Sequence, residues 1–474
     1  MPNPPARLSF PLKLLYGSGD WGISSLGMLR SVFYALYLTD VVGLEPRLAS
    51  FGALIGIFWD AINDPLIGTL SDRLRTRWGR RRPFLLFCSI PFGLAFVILW
   101  SAPGLQSQLA RLIYVTVAFM LADTLSTLVA LPYYALTPEL APAYDDRTTL
   151  TSFRTVFQLA AALTVVVAAP MIVDFVLTTG GTQQQGFMLV GAIFGVMGAI
   201  PLLLIGMLMR ETSTPQQGRS LPFRQTLRLA SQNIPLRFAV GIHMLNWSAV
   251  DMIAVVFPFF LLYWIADGNM LAHITLLGVD LALESAFFGV LLSACILCVP
   301  FWLWLAHKRN KREAYMLGML FWVTVQLLIF RVMPGDITLL LTLAALAGIG
   351  VSAAYVLPDS IFPDVIEWAE LRTGRRQEGI YYGIRTLIRK FTGALVIFAT
   401  LQLLGWSGYR SPPEGALQFT QDSSALQMIR YLVSPIGAAL LCGTIVLAWF
   451  YPLSRERHAR IRKLLERRRQ RRRK

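Results

Sequence analysis

Phe58-Trp59-Asp60-Ala61-Ile62-Asn63-Asp64-Pro65 places two carboxylates four residues apart inside an apolar stretch, 48–70, that is long enough to cross a bilayer. An ionised side chain at the centre of a membrane helix costs about 2.5–3.5 kcal/mol even on lenient insertion scales. The i, i+4 spacing puts both acids on one helix face, so the two costs fall together and call for a cation nearby. Such acids either mark an ion or proton pathway or lock helices together as an internal ion pair; the first reading predicts transport.

Outward from this segment the same length recurs. Apolar stretches of about 20 residues lie near 14–39, 48–70, 83–102, 109–136, 150–178, 186–209, 236–265, 281–306, 313–333, 337–362, 379–405 and 428–451. With 55% hydrophobic and 15% charged residues over 474 positions, the chain is too apolar for a soluble globule. The expected fold is an all-α polytopic membrane protein with twelve transmembrane helices.

The net charge of +16 sits in alternate loops. Arg73, Arg75, Arg77, Arg80, Arg81 and Arg82 follow the second apolar stretch, Arg210, Arg219, Arg224, Arg228 and Arg237 flank the middle of the chain, and His307 to Arg312 follow the eighth stretch. The loops Thr178 to Phe187 and Ala266 to Ala272 carry no Lys or Arg. Positive charge stays inside, so both termini are expected in the cytoplasm and the protein in the plasma (inner) membrane. Met1 to Phe10 lacks a cleavage pattern, so the first stretch is expected to remain as a helix. The basic run Arg467 to Lys474 directly follows a membrane helix and its basic neighbours, a setting that favours anionic lipid head groups, at about 1 kcal/mol per basic residue, over nucleic acid. Cys88, Cys295, Cys298 and Cys442 all fall in apolar stretches and read as small hydrophobes.

Polar residues from Glu211 to Pro235 divide the chain into a first six-helix half, 1–210, a cytoplasmic linker, 211–235, a second six-helix half, 236–452, and a basic tail, 453–474. An internal echo supports two halves: Leu131-Pro132, Pro138-Glu139 and Asp145-Asp146-Arg147 against Leu357-Pro358, Pro363-Asp364 and Arg375-Arg376. Parallel halves of this kind describe the major facilitator fold, with cargo bound near the midplane.

Six motifs in order then carry a resemblance: Tyr16-Gly17-Ser18-Gly19-Asp20, Tyr37-Leu38-Thr39-Asp40-Val41-Val42-Gly43-Leu44, Trp59 to Pro65, Arg77-Trp78-Gly79-Arg80-Arg81-Arg82-Pro83, Arg147 to Arg154, and Gly374 to Tyr382. From about Tyr16 to Tyr409 the chain resembles the glycoside-pentoside-hexuronide:cation symporter family, of the melibiose permease type. The resemblance implies symport of a sugar, glycoside or hexuronide with Na⁺ or H⁺, by alternating access. It assigns the cation to Asp60 and Asp64, with Thr127 as a third oxygen ligand and Asn63 beside them; hard oxygen donors suit Na⁺. Lys390 aligns with the family's membrane-embedded lysine and would offer a countercharge; the other reading is a lysine that snorkels to the interface. Arg154 and Tyr134 fall at cargo positions, Tyr134 in place of a stacking tryptophan. No cofactor is implied beyond the coupling ion, and a monomer that binds a small-molecule substrate, its coupling cation and membrane lipids is expected.

The chain departs from that family at the cargo site. The two sugar-binding aspartates of the melibiose type are here Ser24 and Ala130, while Asp20 and Asp123 lie one and two turns away on about the same faces. Arg30 is a guanidinium inside the first helix. With Arg154, Arg385 and Arg389 it either makes a cationic cavity suited to an anionic cargo or pairs with Asp20 or Asp123. Gating latches are expected at Asp72 with Arg147, and at Asp364, Glu367 and Arg376. A rival of the same fold is Na⁺-dependent carriage of a lysolipid or other amphiphile or organic anion, with Trp247, Trp264, Trp302 and Trp304 along a lipid path. An enzyme is not expected: the chain shows no nucleophile motif and no acid/base pair outside the transport site.

Overall fold

A computed structural model describes residues 9–74, 76–141, 144–209, 233–276, 278–373, 378–413, 415–453 and part of 457–467. Nearly all of the expected linker and more than half of the basic tail, together with Arg376 and the side chains of Asp72 and Arg147, lie outside the described residues. Helix follows helix: α1 (Phe10–Leu36), α2 (Pro46–Arg73), α3 (Arg82–Leu99), α4 (Gln108–Leu140), α5 (Tyr144–Thr178), α6 (Gln183–Leu208), α7 (Ile234–Phe259), α8 (Leu283–Lys308), α9 (Lys311–Ile329), α10 (Ile337–Val356), α11 (Phe362–Thr373), α12 (Glu378–Trp406), α13 (Ser423–Tyr431) and α14 (Gly437–Trp449). Their starts are set locally. Ser107, Asn233 and Asn310 each accept a backbone N–H in the first turn of α4, α7 and α9, and Thr182 with Gln185 forms a capping box on α6.

Ten helical segments among the described residues are long and apolar enough to cross a bilayer, against twelve expected. The missing two are α1 and α2, which at 27 and 28 residues exceed the length of a crossing. Lys13, Asp20 and Arg30 dilute α1, and Asp60, Asn63 and Asp64 dilute α2, so the helices that fall short are those that carry the candidate site. The segment expected as loop before α8 instead forms an antiparallel pair, β1 (His273–Leu276) with β2 (Val279–Ala282), turning at Gly278 with φ +81.

The chain divides into two compact units. One comprises Met1–Gln217, Leu261–Gly289 and Leu401–Asp422; the other comprises Gly218–Phe260, Val290–Thr400 and Ser423–Lys474. In the first, α1 packs on α5 and α6, α3 on α4 and α6, and α2 on α4. In the second, α9 packs on α10 and α14, and α14 on α7. The first unit also buries Asp40, which accepts hydrogen bonds from Thr39, Tyr263 and Tyr409 and so has every oxygen satisfied.

Small residues let α1 and α6 touch through backbone, as membrane helices do in the absence of a strong hydrophobic drive. A Cβ on Gly22 would lie 2.5 Å from the carbonyl oxygen of Gly198 and 2.6 Å from its Cα. Gly22→Ala must therefore push the helices apart, at about 1–3 kcal/mol. The expected result is a lower melting temperature of the purified protein than for Gly104→Ala, whose Cβ would meet nothing within 4 Å. Equal melting curves for the two variants would contradict the close contact.

Candidate functional site

On α2 the large side chains Phe51, Ile55, Phe58, Ile62 and Leu66 are exposed at helical spacing, a stripe for lipid. At 3.6 residues per turn Asp60, Asn63 and Asp64 fall on the opposite side, with Asn63 only 5% exposed. This side meets α4. Trp59 donates its indole N–H to Thr124 at 2.9 Å, and one turn on Thr127 donates to Asp64 Oδ1 at 3.2 Å. Thr127 and Asp64 are thus joined across two packed helices, and Asp60 and Asn63, further oxygen-bearing side chains of the kind that suits a hard cation, lie on the same side of α2.

Further along α4 a second cluster forms around Asp20 of α1, which is 4% exposed. Arg154 of α5 donates Nε–H to Asp20 Oδ2 at 3.0 Å, and Tyr134 and Ser24 donate to Oδ1 at 3.2 and 3.3 Å. The guanidinium lies over the Tyr134 ring at 4.3 Å, and its Nη1 reaches Thr137 Oγ1 at 3.4 Å. Tyr16 fixes the frame beneath, donating to the carbonyl of Tyr133 at 2.8 Å and hydrogen-bonding with Thr137 Oγ1 at 2.7 Å. Asp20, Arg154, Tyr134 and Ser24 are therefore one hydrogen-bonded group, three donors around one carboxylate, with a partly exposed aromatic face.

Arg30 donates to Asp123 Oδ1 at 3.2 Å and lies over Phe119 at 5.0 Å. Of the two roles open to it in the sequence, this is the pairing role. The second unit repeats the pattern. Arg389 of α12 forms two hydrogen bonds to Asp251 of α7, at 2.6 and 2.8 Å, and Arg385 pairs with Asp359. All four arginines read as a cationic cavity thus have an aspartate partner. Lys390 is half-buried and engaged by neighbouring groups.

Asp251 and Asp359 were not among the residues singled out from the sequence, although acids inside apolar runs are the signal that found Asp60. At the gating positions, Asp364 takes Lys311, at 2.9 Å to each oxygen, a partner not foreseen, and Glu367 is half-buried.

Residues 15–455 match the family described as MFS/sugar transport protein. The chain belongs to this family. Its helical architecture and ordered motifs agree with the glycoside-pentoside-hexuronide:cation resemblance. This symporter is 30% identical to an uncharacterized symporter of Synechocystis sp., over 98% of each chain. It is 26% identical to the sodium-dependent lysophosphatidylcholine symporter 1 of Gallus gallus, over 97% of this chain and 90% of that one. With the isoprimeverose transporter of Lactiplantibacillus pentosus it shares 24% identity over 90% and 85% of the two chains. Among solved structures, the nucleoside transporter NupG aligns with TM-score 0.63 and 12% identity, over 93% of this symporter and 98% of that chain, a likeness of fold alone. The protein is thus a multi-pass membrane symporter of the major facilitator type that binds a small-molecule substrate and a coupled ion.

Proposed function

We propose that this symporter couples Na⁺ or H⁺ to the uptake of a sugar, glycoside or hexuronide, with neutral hydroxylated cargo favoured. One observation carries the reading: α4 contributes Thr127 to Asp64 and Tyr134 to Asp20. Seven residues apart on one helix, at about 1.5 Å per residue, the two groups lie roughly 10 Å apart on a rigid rod. An ion that draws Asp64 and Thr127 together sets the position of α4, and α4 sets Tyr134 against the cargo group. Coupling then follows without any direct contact between ion and cargo. Asp60, Asp64, Thr127 and Asn63 hold the cation, and Asp20, Arg154, Tyr134 and Ser24 take the cargo.

Charge favours one cargo class in this reading. Arg30, Arg154, Arg385 and Arg389 each have an aspartate partner. Breaking a buried pair leaves an uncompensated ion at a cost of about 3–5 kcal/mol, so a simple anion competes poorly for these arginines. A sugar does not need to break them, since hydroxyls donate to carboxylate lone pairs and accept from unused guanidinium N–H. The second reading, Na⁺-dependent carriage of a lysolipid, is favoured by the 26% identity to a lysophosphatidylcholine symporter. We propose in addition that the protein sits in the plasma membrane as a monomer with cytoplasmic termini and that Asp72, Arg147, Asp364, Glu367 and Arg376 act in gating.

The test is uptake into vesicles holding the purified protein, with neutral glycosides, hexuronides and lysolipids offered with and without imposed Na⁺ or proton gradients. A neutral glycoside is expected to accumulate only when a gradient is present. Accumulation of a lysolipid alone would replace this reading by the second.

A further inference from the structure

The Asp251 and Arg389 pair is more than a second ion pair. Counting membrane-length helices from α1, the group Asp20, Tyr134 and Arg154 comes from the first, fourth and fifth. Counting likewise from α7, Asp251, Tyr355 and Arg389 come from the first, the fourth (α10) and the fifth (α12). Each group has a buried acid, an arginine whose side chain is partly open (20% for Arg154, 33% for Arg389) and an exposed tyrosine, 36% for Tyr134 and 41% for Tyr355. In the second group the guanidinium lies 4.1 Å over the Trp247 ring, and Trp247 meets Tyr355 edge to face at 5.0 Å.

A pair that only locks helices has no use for an exposed aromatic platform, nor for unsatisfied polar atoms beside it. Here the Trp247 indole N–H is buried without a hydrogen-bond partner among the described residues. Both ring nitrogens of His243, 1% exposed, are likewise unpartnered, as is Asp359 Oδ1, 4.0 Å from His243 Nδ1. Orphaned donors and acceptors of this kind are costly in a protein interior and mark where a polar ligand completes the set. The paired charges cancel: Asp251 with Arg389, Asp359 with Arg385.

We infer that Asp251, Arg389, Trp247 and Tyr355 form a second cargo subsite, in the second unit, which takes a neutral polyhydroxylated ring. The ring's C–H face stacks on Tyr355, its hydroxyl oxygens accept from Arg389, and a hydroxyl proton goes to a lone pair of Asp251 that Arg389 leaves open. Asp251 and Arg389 need not part, because each keeps its partner while it binds the sugar. The subsite rests on the glycoside reading above.

Two variants test it in vesicles, with the neutral glycoside that the wild type carries as probe. Tyr355→Leu removes an exposed ring and leaves the ion pair intact. Asp251→Asn with Arg389→Gln removes both charges together at nearly constant volume, which a merely structural pair tolerates. Both variants are expected to raise the half-saturating cargo concentration about tenfold, while Tyr355→Phe stays near wild type. Na⁺-induced thermal stabilisation of the purified Tyr355→Leu protein should match wild type, showing that the fold and the cation site survive. Unchanged half-saturation in Tyr355→Leu overturns the subsite and leaves the glycoside reading standing. A wild type that carries no neutral glycoside overturns both.

Discussion

Asp60→Asn and Asp64→Asn are each expected to abolish cation-driven accumulation of cargo. The carboxamide keeps the shape of the side chain and removes only the anion, so packing along α2 is preserved while the site loses a hard oxygen ligand. Affinity for the coupling ion should fall at least about a hundredfold, equivalent to roughly 2.7 kcal/mol. Exchange of cargo across the membrane with no gradient is expected to persist, because the group around Asp20 is untouched. This second readout separates a lost ion from a lost fold. If both variants still concentrate cargo with the wild-type Na⁺ or proton dependence, the ion is bound elsewhere.

Arg154→Ala is expected to be the most damaging single change in the group around Asp20. Asp20 is 4% exposed and receives a charged donor from Arg154 at 3.0 Å, so removal of the guanidinium strands a buried carboxylate. Loss of one partner of such a pair costs about 3–5 kcal/mol. A large drop in melting temperature and no uptake are expected. Adding Asp20→Asn to Arg154→Gln removes both charges and should restore most of the thermal stability while uptake stays absent. Recovery of uptake in that double variant would make the pair structural only.

How much of this was legible in the chain depends on how local each feature is. The lipid stripe of α2 and the acids opposite it follow from helical period alone, since Phe58, Ile62 and Leu66 recur every four residues. The contact of Thr127 with Asp64 spans 63 positions and was suggested only by family resemblance. Arg30 left two roles open because its partner, Asp123, is 93 positions away on another helix, and no periodicity links them. Asp251 stands out less in the sequence because it lacks a second acid at i+4, the doubling that marks Asp60. Lys311 was read as part of a topology signal, although it also anchors Asp364. The β1 and β2 hairpin falls almost wholly in the loop expected between the stretches 236–265 and 281–306, where two four-residue strands give too short an alternation to stand out.

The most direct measurement is reciprocal linkage on the purified protein. Cargo affinity is titrated at several Na⁺ concentrations at fixed pH and at several pH values without Na⁺, and ion affinity is titrated at several cargo concentrations. In a symporter whose ion and cargo groups share α4, the ion must tighten cargo binding by the same factor by which cargo tightens ion binding, about 5- to 150-fold for typical couplings. That factor should fall to about one in Asp60→Asn and Asp64→Asn. Cargo affinity that is independent of both Na⁺ and pH in the wild type would contradict the account.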